Sequence, residues 1–227
     1  MFHWFEQRPF FFAVLVFVFV SFAGIIEVIP DFAKQSRPAV GTKPYSVLEL
    51  AGRQVYIKDS CNACHSQLIR PFKAETDRYG MYSLSGEFAY DRPFLWGSKR
   101  TGPDLMRVGN YRTTDWHENH MYEPSAVVPG SIMPAYKHQF TNKADLDTAY
   151  AEAYTVKTVF ATPYDQDLDG DGKIDVELGD YATAIAKAKE DAKAIAAGMK
   201  NEAIKAEVEQ GKIPEIVALI AYLNSLK

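Results

Sequence analysis

The sequence predicts a mainly α-helical protein, with one N-terminal transmembrane helix followed by a small domain of helices, long loops and a helical insertion. Three observations carry this. Phe10–Ile29 form a run of twenty residues with Glu27 as its one charge. Apolar residues recur at helical spacing after Ser46 and again after Pro214. Asp180–Gly211 is dominated by Ala, Lys and Glu, strong helix formers.

Twenty residues make a helix of about 30 Å, enough to cross the hydrocarbon core of a bilayer. A cleaved signal peptide has a shorter apolar region and a small-residue cleavage pattern. This run is too long, and Glu27-Val28-Ile29-Pro30-Asp31 carries no such pattern, so residues 1–30 are expected to stay as an anchor that Pro30 ends. Glu27, at the outer end of the span, is expected to reach headgroup water; contact with another membrane subunit is the alternative. Arg8 before the span and Asp31, Lys34 and Arg37 after it give little charge bias for orientation. Trp4 suits the near interface.

Residues 31–45, with Pro38, Gly41 and Pro44, read as a linker. Ser46-Val47-Leu48-Glu49 is a capping box that starts a helix with Val47, Leu50, Ala51 and Val55 on one face. Gly52 on that helix admits the close approach of another. Pro214 opens a last helix with Ile216, Leu219, Ile220, Leu223 and Leu226 inward. Residues 66–140 are rich in Gly, Pro and aromatics with little periodicity, and need something to pack against. Thr141 is expected to cap a helix through 143–160, and 180–211 to form a solvent-exposed helix or hairpin. Residues 141–212 thus form an insertion in a domain made of 46–140 and 213–227.

The net charge of −4 is mild and no basic stripe suggests nucleic acid. Two cysteines exclude a disulfide framework. They stand in Cys61-Asn62-Ala63-Cys64-His65, where two thiols can add to the vinyl groups of one haem while His65 reaches its iron. A redox dithiol needs neither the following His nor this context, and expects a βαβ unit. A zinc site needs more ligands than His117 and His120 supply. A covalent haem c is therefore expected. Because such attachment takes place outside the cytoplasm, the domain belongs on the outer side and the N-terminus inside. Aromatics at 13% of the chain suit a fold that wraps a large flat group.

An electron carrier needs a sixth iron ligand. Met133 stands in Gly130-Ser131-Ile132-Met133-Pro134, where the following proline holds it on a rigid strand. Met81 and Met106 lie beside the first aromatic loops, and Met199 lies in the insertion. A bis-His rival would use His117, His120 or His138. Met133 is expected, since His/Met ligation raises the potential and fills both axial sites. A ligating imidazole normally donates its other N–H to a carbonyl, and Gly102 or Pro103 offers one. Arg70 and Arg100 are expected to pair with haem propionates, and Trp96, Trp116 and Tyr136 to wall the group.

Asp167, Asp169, Asp171 and Asp175, with Gly172 at the sixth position, resemble the start of an EF-hand calcium loop. The pattern breaks at position twelve, where Leu178 replaces the bidentate Glu; an acidic solvated turn is the alternative.

Read as a unit, CNACHSQLIRPF, with Trp96-Gly97-Ser98-Lys99-Arg100-Thr101-Gly102-Pro103-Asp104-Leu105, Trp116-His117 and Met133-Pro134-Ala135-Tyr136, is similar to the mono-haem subunit of cbb3-type cytochrome c oxidases. The likeness covers 1–140 and the last helix. It implies a cytochrome c-like domain, facing the periplasm from a bacterial inner membrane. Cys61 and Cys64 would be the attachment positions, and His65 and Met133 the axial ligands. The implied partners are a di-haem cytochrome c subunit, a multi-span haem–copper subunit that reduces oxygen, and membrane lipid. A stand-alone anchored cytochrome, or the cytochrome subunit of nitric oxide reductase, shares the anchor-plus-haem plan. A non-catalytic calcium-sensing module would keep the acidic loop without a sixth ligand.

Overall fold

Within a bilayer, a run of phenylalanine, valine and isoleucine satisfies its backbone within one segment only as a helix, and Pro9–Ala33 is one. The computed structural model describes residues 2–33, 37–97 and 99–227, among which no strand occurs. Lys34, Gln35 and Ser36 of the expected linker and Ser98 lie outside the described residues. The chain divides into two units, Met1–Arg37 and Pro38–Lys227.

In the first unit a short α1 (Phe2–Glu6) precedes α2 (Pro9–Ala33). Its span, Pro9–Ile29, is 21 residues long and uncovered by protein. The helix does not stop at Pro30 as expected but runs to Ala33. A proline forfeits one i→i−4 bond, a small loss one turn from a helix end. The Arg8 guanidinium sits 4.2 Å from the Trp4 ring.

In the second unit α3 (Val47–Lys58) begins at Ser46, whose hydroxyl accepts from Glu49 N–H while the Glu49 carboxylate accepts from Ser46 N–H at 2.7 Å. The short α4 (Lys73–Tyr79), α5 (Thr114–Tyr122) and α6 (Pro124–Val127) are linked by loops and 3-10 turns. Then come α7 (Leu146–Phe160), α8 (Tyr181–Ala197), α9 (Glu202–Glu209) and α10 (Glu215–Ser225). α3 crosses α10 at Gly52, where a Cβ would sit 2.9 Å from Tyr222 Cβ and overlap the Ala218 carbonyl. Tyr45 and Tyr56 meet the Tyr222 ring edge-on at 5.7 and 5.5 Å.

Two expectations change here. α7 is capped by Asp145, which accepts from Thr148 N–H at 2.9 Å, whereas the Thr141 hydroxyl turns back to the His138 carbonyl. The 180–211 segment is a hairpin, but one face is not solvated. Ala184, Ala188, Ala192 and Ala196 are buried in the same core as α3 and α10. Alanine buries little area per residue, so the spacing of four, and not hydrophobicity, is what marks this face. Residues 38–45 are also tied down: Ala39 N–H donates to Gly86 O, and Tyr164 donates its hydroxyl to Tyr45 O.

Candidate functional site

α3 ends at Lys58, and Ser60 takes a left-handed conformation (φ 56°), so the chain turns sharply into a 3-10 turn at Cys61–Ala63. The N–H groups of Cys64 and His65 both donate to Cys61 O, at 3.1 and 2.9 Å. This brings the two thiols and the imidazole onto one turn. Cys61 is buried, Cys64 is exposed, and the two are not bridged. Burial pushes the Cys61 thiol up to about 12. A redox dithiol or zinc site works through thiolate, which burial disfavours at the Cys61 sulfur.

The His65 ring is held from two sides. Its Nδ1 lies 2.8 Å from Pro103 O, and its face rests on Gly102, where a Cβ would come within 2.7 Å of Nδ1. Gly102 N–H in turn donates to Cys64 O at 2.9 Å. Burial, opposed by the Pro103 carbonyl, lowers the His65 pKa, which favours the neutral imidazole with Nε2 as its ligand atom.

Trp96, Arg70 and Arg100 build the frame behind this turn. Gln67 N–H donates to Trp96 O at 2.8 Å, and Gly97 (φ 66°) packs on the backbone of Asn62, His65 and Ser66. The half-exposed Trp96 stacks on Phe94 at 4.5 Å. The two arginines, expected as partners of haem propionates, converge on Glu75. Arg100 Nη2 donates to Glu75 at 2.7 Å and to Leu68 O, while Arg70 donates to Glu75 from side chain and backbone. Asp104, fully buried, accepts from Ser66 Oγ at 2.6 Å and from the N–H groups of Leu68 and Met106. The network joins the two stretches 66–75 and 100–106, and neither Glu75 nor Asp104 stood out as a site residue in the sequence.

Met133 is half-buried and packs on the core cluster that contains Cys61. Its segment is fixed by Tyr136 N–H, which donates to Met121 O at 2.8 Å, at the end of α5. Met81 is exposed, Met106 lies in a separate cluster with Ile69 and Phe88, and Met199 is buried in the main core. On α5, Trp116 stacks on His120 at 4.5 Å. His117 is buried with neither ring nitrogen partnered, and desolvation lowers its pKa to about 4. Desolvation lowers His120 too, and the nearby His65 adds to this. His138 Nε2 lies 3.0 Å from Asp59.

Two unbridged cysteines on one turn with an imidazole anchored through Nδ1 are a donor set that fits a haem held by two thioethers. The buried ring nitrogens of α5, without protein partners, fit a neighbouring polar or metal-bearing group.

The acidic loop lies apart in sequence from these residues. Asp167, Asp169 and Asp175 bring carboxylate oxygens within 4.8 Å of one another, while Asp171 stays outside the cluster. The Lys43 ammonium pairs with Asp175 and lies 3.9 Å from Asp169, a partner 132 residues away from Asp175 that local spacing does not reveal. Leu178 is buried in the core, which accounts for an apolar residue at the loop's twelfth position.

No individually curated protein matches the chain. The profile of the family described as cytochrome c oxidase, mono-heme subunit/FixO matches residues 2–227, and with a haem-compatible turn on a helical body behind an apolar helix, the chain belongs to that family.

Proposed function

We propose that this chain is the electron-transfer subunit of a cbb3-type terminal oxidase, holding one covalent haem c. Cys61 and Cys64 would form its thioether bonds, and His65 Nε2 and Met133 Sδ would occupy the two axial positions. The observation that carries the reading is the His65 ring, fixed by Pro103 O at 2.8 Å and by Gly102 with both cysteines on the same turn. The haem supplies one-electron redox chemistry; the protein supplies orientation, burial and a closed coordination sphere.

Electrons would arrive from a di-haem cytochrome c subunit and leave toward a multi-span haem–copper subunit. No oxygen chemistry would occur on this chain. α2 would anchor it in a bacterial inner membrane, with the N-terminus cytoplasmic and the haem domain periplasmic. A stand-alone carrier, or a nitric oxide reductase subunit, would share the turn; membership of an oxidase-subunit family favours the oxidase.

The test is haem staining of the full chain with near-infrared spectroscopy of its oxidised form. The double variant Cys61→Ala/Cys64→Ala is expected to lose the covalent band, and Met133→His the Met–iron charge-transfer band. A covalent band that survives loss of both cysteines, or a native protein without the Met–iron band, overturns the assignment. Copurification of the di-haem and haem–copper subunits tests the place in the complex.

A further inference from the structure

The two loops that would carry the axial ligands are far apart in sequence, yet one carboxylate joins them. Asp59 follows α3 directly, and its backbone N–H still donates to Val55 O at 2.9 Å, so the residue is held by the helix end. The left-handed Ser60 then sends the chain into the Cys61 turn. Six residues beyond Met133, Gln139 is fully buried and donates its Nε2–H to Asp59 Oδ2 at 2.7 Å. The same oxygen lies 3.0 Å from His138 Nε2.

An exposed His–Asp pair alone would contribute little. Here the carboxylate is nearly covered (9% exposed) and takes a second donor from a residue with no exposure at all. A charge-assisted bond in such a place is short, directional and costly to break. The Met133 segment is then bracketed. Tyr136 N–H pins it to Met121 O, and Gln139 and His138 pin its far end to Asp59.

We propose that Asp59 is a positioning residue that clips the Met133 loop to the Cys61–His65 turn through Gln139 and His138, and thereby sets how firmly Met133 stays on the iron. The inference rests on the His65/Met133 ligation proposed above. Asp59 is not among the residues that would hold the haem; it acts by limiting how far the loop can swing away.

The experiment uses the full-length, haem-loaded chain in detergent. The oxidised protein is titrated with imidazole, and loss of the Met–iron charge-transfer band is followed. In Asp59→Ala and Gln139→Leu, the band is expected to vanish at about tenfold lower imidazole than in the native chain, the equivalent of one hydrogen bond to a charged group. Asp59→Asn keeps an oxygen acceptor and is expected to restore much of the resistance. His138→Ala, at an exposed site, is expected to fall between, with covalent haem per chain unchanged throughout. If Asp59→Ala does not mature, Gln139→Leu and His138→Ala carry the same test. Equal imidazole sensitivity in the native chain and all these variants overturns the clip while leaving the ligand assignment intact. A native protein with no Met–iron band overturns the ligand assignment, and the clip with it.

Discussion

The backbone of Gly52 lies against the carbonyl of Ala218, so close that a Cβ would overlap the oxygen. This contact sets the crossing of α3 and α10, and with it the direction in which α3 delivers Cys61. Because the obstacle is backbone in a buried helix, relief requires the helices to separate. Gly52→Ala is expected to cost about 3 kcal/mol or more, the upper range for overpacking. Urea unfolding followed by circular dichroism measures it. A variant as stable as the native chain would mean that the crossing is looser than the structure has it.

Gly102 stands in the same relation to His65, but the neighbour is a side chain at the site. A methyl group there would push against Nδ1 and Nε2 together, so the ring must tilt away from Pro103 O. On the ligation proposed above, Gly102→Ala is expected to leave both cysteines able to attach haem while altering the His65 imidazole that would bind its iron. The readout is an altered visible and near-infrared spectrum at near-native covalent haem content. A native-like spectrum would show that the ring does not depend on Gly102.

How much of this was legible in the sequence depended on distance along the chain. The start of α3 could be read because the Ser46–Glu49 capping box is local, and the inner face of α10 because its apolar spacing is periodic. Thr141 was a misleading cap, since Asp145 four residues on makes the stronger acceptor for an open helix N-terminus. The alanine face of α8 was unreadable as core, because small side chains are buried only when other helices come close. Partners such as Asp59–Gln139 and Lys43–Asp175 leave no local pattern, as each pairs residues joined only by the finished fold.

Glu75 gives a pH dependence with a definite sign. Bonds from Arg100 first, and from Arg70, hold its carboxyl at about 2, below the usual 4.5. A carboxyl whose pKa falls on folding stabilises the fold above its unfolded value, and that contribution is lost as pH drops through the folded one. Resistance to urea is therefore expected to decline between about pH 4.5 and 2 in part through this residue. Glu75→Gln is expected to be less stable at pH 7 and to show a flatter acid decline. Parallel acid slopes in the two proteins would remove Glu75 from the account.

The acidic loop already has a cation of its own in Lys43. Calcium entering among Asp167, Asp169 and Asp175 must compete with that ammonium for Asp175, and repulsion from it weakens binding further. Removing the charge while keeping an aliphatic stem isolates this effect. Lys43→Met is expected to bind calcium about tenfold more tightly than the native chain, as removing one adjacent unit charge near a protein surface implies. Calorimetric titration of both proteins measures the difference. Equal affinities would mean that Lys43 does not guard the loop, and no heat in either protein at millimolar calcium would leave the three carboxylates as a salt-bridged turn that fastens residues 38–45 to residues 167–175.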